Sequence, residues 1–571
     1  MQKTYTNPVY PYVSSADLHA KKAVHHPVVI VGAGPGGLAL AIDFASQGIR
    51  TVILDDNNTV SVGSRAICFA KRTLEIMNRL GCAKRMIDKG VTWDHGKVFF
   101  KEERVYDFNL LNEADHQIPA FINLQQYYFE EYLVDKVAEY EELDLRWNSK
   151  VIAIDSRKDS TEIRVAVPDG EYTLTCDYLV CADGSNSGVR SMLGLESKGQ
   201  VFQDRFLISD VVMKANFPTE RWFWFDPPFH PNQSALLHKQ PDNVWRIDLQ
   251  LGWDADPEHE QQEHIIRPRI QAMLGPEVEF EIEWASVYTF QCRKMDHFIH
   301  NKVLFVGDAA HQVSPFGARG ANGCIQSVEN LVWKVASVLK GQAPQALIET
   351  YNTERQQGAK ENILNSTRAT DFITPKNHIS RVFRDQTLRL AKNFAFARTL
   401  VNSGRLSTPC QYKDSPLSTV EQDTFDSPLC AGSVPKDAPI AVYDQQDWLL
   451  NQLGTQFVVL VSLDIIGPEE TSEIMQLSNI QNLNILVTGP GILPDVIKSK
   501  VTRIDCTKGA LVARYDLKHK TTYLFRPDQI ISGRWRECLS QTIEKAMRRA
   551  LGFELDTDVS DRQTKTCEVL T

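Results

Sequence analysis

The chain has 571 residues, 43% hydrophobic and 23% charged, with a net charge of -10 and a pI near 5.8. That length supports two or three domains with well-buried cores, and the acidic balance lacks the basic stripe that nucleic acid requires. No run approaches the roughly 18 to 20 apolar residues that span a bilayer, and residues 1–26 lack signal-peptide order, so a cytoplasmic protein without nucleic-acid or membrane partners is expected. The eleven cysteines are scattered, with no C-x-x-C and no zinc-spaced histidines. Neither a disulfide framework nor a metal site is expected.

Residues 1–26 read as a polar arm. Val28 to Ala41, V-V-I-V-G-A-G-P-G-G-L-A-L-A, then predicts a buried parallel strand, a tight turn and a helix. Gly32, Gly34 and Gly37 form G-x-G-x-x-G, with Pro35 and Gly36 inside it; absent side chains let a pyrophosphate reach the helix amino terminus. Thr51 to Leu54 reads as the second strand and ends at Asp55, 18 positions past Gly37. A carboxylate there accepts ribose hydroxyls and repels a 2'-phosphate.

Ser64 and Arg65 follow in S-R-A-I; taken alone, Arg65 reads as a solvated charge. Asn123 to Leu133 contains Q-x-x-x-E-x-x-L at Gln126, Glu130 and Leu133, with Gln125 adjacent, and equally suits a plain helix start. Tyr178 to Arg190, Y-L-V-C-A-D-G-S-N-S-G-V-R, predicts a strand ending at Asp183 and Gly184, with Ser185 and Ser187 available as helix caps. Strand-terminal Asp-Gly is also a good turn, so a mainly structural Asp183 is favoured.

From about 201 to 295 the texture changes to alternating aromatic-rich strands, at Arg221 to Phe225, Ser234 to His238 and Val244 to Leu251. Trp222, Trp224, Trp245, His238, Arg246 and Tyr288 are candidates for a ligand-facing wall; alternation puts Trp245 opposite Arg246 but leaves open which face is core. Val303 to Asn322, V-L-F-V-G-D-A-A-H-Q-V-S-P-F-G-A-R-G-A-N, joins a strand to a glycine-rich loop and a helix, with Asp308 at the strand's carboxyl end. His311 in that loop is assigned no proton-transfer role. Helices continue to about residue 405, Leu406 to Pro439 reads as a linker and domain entry, and strands are expected at Phe457 to Val461, Leu483 to Val487, Leu511 to Tyr515 and Thr522 to Phe525.

The order of these motifs, above all Gly307, Asp308, Pro315, Gly317, Gly320, Ala321 and Asn322, resembles the group A flavoprotein monooxygenases, the p-hydroxybenzoate hydroxylase and phenol hydroxylase relatives. The resemblance implies an α/β fold: a discontinuous Rossmann-like FAD-binding domain (27–200 and 296–360) with an inserted antiparallel-sheet substrate domain (201–295), a helical segment and linker (361–425) and a thioredoxin-like C-terminal domain (426–571). Cys430 to Pro439 and Leu524 to Asp528 carry the last part, which implies a role in covering the enzyme or forming a homodimer. The resemblance also implies FAD contacts from Arg65, Gln126, Asp183 and the Gly307 to Asn322 loop, with Asp308 on the ribityl chain and the helix amino end at the flavin N1 and O2 edge.

The chemistry so implied is reduction of FAD by NADH or NADPH as a transient co-substrate, addition of O2 at flavin C4a, and transfer of oxygen from the hydroperoxide to a small electron-rich aromatic ring. Deprotonating a phenol raises ring reactivity. His238 and Tyr288 are the candidates for the phenol hydroxyl, and Arg246 for a substrate carboxylate or, equally, for a structural one. A flavin dehydrogenase or oxidase shares the nucleotide motifs, and a non-enzymatic flavoprotein scaffold is the remaining class; the halogenase G-W-x-W-x-I-P signature is absent, since Gly252 and Trp253 lead into D-A-D.

Overall fold

The structure is a computed structural model that describes residues 4–63, 65–215, 217–401 and 406–555, without the side chain of Gln203. Ser64, and the ends of the expected arm and terminal domain at 1–3 and 556–571, lie outside these residues. The chain divides into two compact units. The first comprises Met1–Ala114, Ile118–Val328 and Gly358–Pro409, and the second Asp115–Gln117, Glu329–Gln357 and Cys410–Thr571.

In the first unit, β1 (Val24–Val31) leads through α1 (Pro35–Ser46) to β2 (Thr51–Leu54), followed by the short β3 (Cys68–Ala70). After β4 (His95–Phe100) and α2 (Gln126–Val137), β5 (Leu143–Arg146) and β6 (Gly170–Cys181) return to the first sheet. The antiparallel stretch is β7 (Ser197–Met213), β8 (Arg221–Phe225), β9 (Ser234–Lys239), β10 (Val244–Leu251), α3 (Glu263–Leu274) and β11 (Phe280–Met295). Then comes β12 (Val303–Phe305), followed by the helices α4 (Gly320–Leu339) and α5 (Ala346–Ile373), whose residues 329–357 belong to the second unit.

The first sheet runs β12, β6, β1, β2, β5, and each of these neighbouring pairs is parallel. Val28 to Ile30 are fully buried, as the uninterrupted apolar run requires for a strand covered on both faces. Register aligns the strand ends: Val31 pairs with Leu54 on one side and Cys181 on the other, and Cys181 pairs with Phe305. The loops beginning at Gly32, Asp55, Ala182 and Val306 therefore leave one edge of the sheet, where ligands bind in open α/β sheets.

The second sheet is eight strands wide, with β11, β7, β10, β9, β8 and β4 as consecutive neighbours, so it also recruits His95–Phe100 and the adjoining Glu103–Asn109 hairpin strand. One face is closed by α3: Ile266, Ile270 and Leu274 cluster with Trp245, Ile247 and Leu249, and Trp222 and Trp224 join them. The three tryptophans proposed for a ligand-facing wall thus share the α3-covered face, while His238 and Arg246 stand on the opposite one. Helix residues also pack on part of that opposite face, where Phe223, Phe225 and Leu236 cluster with Phe372, Ile373 and Leu388; alternation gives two faces but cannot say what covers each.

The second unit carries a sheet in which β13 (Phe457–Ser462), β14 (Leu483–Thr488) and β15 (Thr502–Cys506) are parallel, while β16 (Thr522–Phe525) runs antiparallel to β13 and β17 (Ile531–Trp535) antiparallel to β16. The expected strand at Leu511 to Tyr515 is instead part of a helix, Ala510–Tyr515. Its buried residues are Leu511 and Tyr515, four apart, which is helical rather than alternating spacing. Residues 410–438 contain no strand, yet Tyr412, Leu417 and Leu429 in this expected linker are buried.

Candidate functional site

Four loops meet at the carboxyl edge of the parallel sheet. In the first, Gly32 has φ 101°, and a Cβ there would lie 2.6 Å from the Ala182 carbonyl oxygen. A Cβ on Gly37 would land on the Gly32 carbonyl, so these two glycines let helix and strands close together. Gly34 differs: it caps α1, no side chain caps the helix with it, and a Cβ would meet nothing within 4 Å. Open space in front of uncapped amides is a setting for an anion.

Asp55 stands one strand away. Its Oδ2 accepts from the Ala33 N–H at 2.5 Å and its Oδ1 from the Asn57 N–H at 2.9 Å, which fixes the carboxylate at the end of β2. Burial raises its pKa, with those two amides opposing the shift. In the loop after β6, Asp183 Oδ2 accepts from the Ser187 hydroxyl at 2.9 Å and the Val189 N–H at 3.1 Å, but its buried Oδ1 has no partner. Half of this side chain serves the turn, as the sequence favours, and half is open to a donor.

Asp308 follows β12. It is exposed, yet surrounding protein raises its pKa to about 6, with Arg65 pulling the other way. Accessible and crowded at once, it sits in a concavity rather than on a convex surface. Gly307, beside it, has φ 62°, and a Cβ would lie 2.7 Å from Cys324 Sγ.

Two further predicted residues support the loop that ends β2. Gln126 Oε1 accepts from the Ala66 N–H at 3.0 Å and its Nε2 donates to Glu130 Oε1 at 2.8 Å, while Ser61 N–H donates to Glu130 Oε2 at 2.6 Å. Gln125 instead donates to the Pro241 carbonyl, at 3.4 Å. Gln126 is therefore the glutamine on the Arg65 side. Asn322 departs from expectation: Oδ1 accepts from Ala70 N–H at 2.8 Å and Thr73 Oγ1 at 2.6 Å, and Nδ2 donates to the Cys68 and Ala318 carbonyls at 2.9 and 2.6 Å. All four capacities of the amide are used, leaving its backbone N–H, with those of Gly320 and Ala321, at the amino end of α4. Pro315 is exposed in the preceding loop.

On the face of the antiparallel sheet opposite α3, register sets His238 against Arg246, Arg246 against Asp210, and Asp210 against Trp284. Trp222 pairs with Leu237, so Arg221 extends this row beyond His238. Arg246 is held by Asp210 through Nε–Oδ1 at 2.8 Å and Nη2–Oδ2 at 2.9 Å, the structural alternative left open by the sequence. Burial, then Arg221 and Arg246, push the His238 pKa well below the usual histidine range, so the ring stays neutral. Tyr288 stands further along the face, half-buried, its ring 6.3 Å from Trp284. Arg221 and Asp248 share this face and were not among the sequence candidates.

Residues 25–366, more than half of the chain, match the family described as FAD binding domain. The chain belongs to that FAD-binding family. Among its relatives is the 3-(3-hydroxy-phenyl)propionate/3-hydroxycinnamic acid hydroxylase of Mycolicibacterium smegmatis, 24% identical over 522 residues covering 89% of this chain and 90% of the relative. The fold is similar to that of the flavin-dependent monooxygenase PieE, crystallised with FAD and substrate: TM-score 0.78, 20% identity, 93% of this chain and 99% of that one. It is also similar to that of aklavinone-11 hydroxylase, crystallised with FAD and aklavinone: TM-score 0.73, 20% identity, 93% and 100% covered.

FAD suits what the site offers. The open position at Gly34, the orphaned Asp183 oxygen and the accessible, crowded Asp308 are features a ligand completes, and none is needed by a closed core. Among the described residues no helix is long and apolar enough to cross a membrane. No group of three or more His, Cys, Asp or Glu among them is placed to hold a metal.

Proposed function

We propose that this FAD-dependent enzyme hydroxylates a phenolic or related electron-rich aromatic ring, using NADH or NADPH and O2. The observation that carries the reading is the Asp308 carboxylate, accessible within crowded protein at the strand edge shared with Gly34 and Asp55. In this reading the α1 amides at Gly34, Pro35, Gly36 and Gly37 take the FAD pyrophosphate and Asp55 the ribose. Asp308 holds the ribityl chain, Arg65 faces it, and the amides of Gly320 to Asn322 meet the flavin edge. Bound FAD supplies the oxygen activation.

This chain's own residues bind and orient both molecules and keep water from the reacting ring. The names of the relatives, hydroxylases and flavin-dependent monooxygenases, support a monooxygenase over a dehydrogenase. In the second unit, the order β17, β16, β13, β14 with β16 antiparallel to its neighbours supports the thioredoxin-like reading.

The test is purified protein titrated with FAD and assayed for NADH or NADPH oxidation, with peroxide and product counted separately over a panel of phenols. Flavin retention and phenol-stimulated oxidation with more product than peroxide is the expected result. A protein that refuses FAD, or oxidises the nicotinamide without product from any phenol, contradicts the reading.

A further inference from the structure

The row on the sheet face opposite α3 contains two arginines in different circumstances. Arg246 is neutralised by Asp210. Arg221 is 7% exposed, and among the described residues it makes no ion pair; its Nε has no hydrogen-bond partner and its Nη1 reaches Cys68 Sγ at 3.9 Å. A guanidinium held from water without a carboxylate is costly unless something else completes it.

Asp248 is the complement. It lies two residues past Arg246 on the same face, in the middle of the sheet, with Leu236 and Ile208 as its cross-strand neighbours. Its Oδ1 is buried and has no hydrogen-bond partner, although the residue as a whole is only half-buried. Phe372, Ile373 and Leu388 cover Leu236, Phe223 and Phe225 on the same face, so the partial accessibility of Asp248 marks a local gap beside that packing. Arg221 and Asp248 are two strands apart, roughly 10 Å laterally, so a ligand atom has room to sit between their side chains.

The row is also tied to the cofactor side of the unit. The Asn322 amide donates to the Cys68 carbonyl, and Cys68 Sγ stands 3.9 Å from Arg221 Nη1 and 4.0 Å from His238 Nδ1. Arg246 Nη1 reaches the Arg65 carbonyl at 3.5 Å. The amino end of α4 and the polar row are thus in register through β3.

We infer that Arg221 and Asp248 receive the hydroxyl of the aromatic substrate: the phenol O–H bond breaks, the proton passes to Asp248, and Arg221 holds the phenolate oxygen. This deepens the hydroxylase reading and rests on it. The step balances internally, since one carboxylate becomes a carboxylic acid and one phenol a phenolate. His238 is unsuited to the acceptor role, because protonation would put a third cation between Arg221 and Arg246. Burial raises the pKa of Asp248 to about 6, with Arg246 and Arg221 lowering it and Asp210 raising it. The other groups facing this space are His238, Cys68 from β3, Tyr288 from β11 and the loop at Arg65. A carboxylate near pH 6 is a proton acceptor matched to neutral operation.

The test uses FAD-loaded wild type, Asp248→Asn and Arg221→Met with phenol, 3-(3-hydroxyphenyl)propionate and a more acidic ring-fluorinated counterpart of each. FAD content and thermal melting certify the folded holoprotein for each variant. Asp248→Asn is expected to lose about 100-fold in hydroxylation of the ordinary phenol and to recover most of that loss with the fluorinated one when assayed where it is already ionised. The wild type is expected to lose activity below about pH 6. Arg221→Met is expected to weaken binding of the ionised fluorophenol at least tenfold while retaining FAD. A wild type that hydroxylates while both variants match it on every probe overturns the inference alone. Equal losses for the ordinary and the fluorinated phenol in Asp248→Asn overturn the proton-acceptor role. A wild type that hydroxylates no phenol overturns the proposed function, and this inference with it.

Discussion

Asn322 Nδ2 donates to the Cys68 carbonyl oxygen at 2.9 Å, joining two residues separated by 254 positions. The same side chain accepts from the Ala70 N–H, so the first turn of α4 is pinned to both ends of β3. Replacing Asn322 with Leu strips partners from buried backbone groups at Cys68 and Ala70. Each buried group left unsatisfied costs about 1 to 3 kcal/mol. Asn322→Leu is expected to lower the urea midpoint and weaken FAD retention together, measured by chemical unfolding and flavin release.

The glycines of the first loop separate folding from binding. Gly37→Ala drives a Cβ into the Gly32 carbonyl, a backbone atom with no freedom to move aside. It should destabilise by more than about 3 kcal/mol, in the range of overpacked cores. Gly34→Ala meets nothing in the protein, so apo stability should change by less than about 1 kcal/mol while FAD affinity falls at least tenfold. Apo unfolding and FAD titration on the same preparations distinguish the two.

Asp308 gives a pH dependence with a definite sign. Its folded-state pKa is raised to about 6, above the roughly 3.9 of an unfolded aspartate. Its contribution to apo stability is therefore fully present below about pH 4 and lost as pH rises through 6. The stability of apo wild type relative to Asp308→Asn should fall across that interval, measured as the difference in urea midpoints from pH 4 to 7. A flat difference contradicts the crowded setting assigned to this carboxylate.

The second unit carries the opposite sign. Lys334, Glu354, Arg526 and Asp528 form a fully buried cluster, with Lys334 Nζ–Glu354 Oε2 and Arg526 Nη1–Glu354 Oε1 both at 2.7 Å. Burial raises the Glu354 pKa, but Arg526 and Lys334 outweigh it and hold the carboxyl well below the usual range. That stabilisation is present above about pH 4.3 and drains away as pH falls below it. Arg526→Met leaves Asp528 without its ion-pair partner and Glu354 with Lys334 alone, and should cost about 3 to 5 kcal/mol, read by unfolding at pH 7, with a smaller penalty in acid.

The parallel sheet edge was legible because its signals are local: an apolar run followed by glycine or aspartate fixes where each strand stops. Asp55, Asp183 and Asp308 are each identified that way. The antiparallel sheet was legible as strands but not as faces, because covering Trp222, Trp224 and Trp245 depends on α3, a tertiary fact. Asn322 was visible as a motif residue, yet its saturation by Cys68, Ala70 and Thr73, beside the local Ala318, depends on contacts some 250 residues distant. Arg221 and Asp248 escaped notice, although the Arg246 and Asp248 spacing of two already places both on one face. Leu511 to Tyr515 misled because a segment as short as L-V-A-R-Y fits either period until burial of the first and last positions decides for the helix.

The most direct test of the account is hydroxylation under heavy-isotope O2 with FAD-loaded protein, a reduced nicotinamide and the best phenol of the panel. One labelled oxygen atom per product molecule is the predicted result, together with loss of product when Asp308→Ala releases the flavin. Product carrying oxygen from water, or undiminished turnover in flavin-free protein, would contradict it.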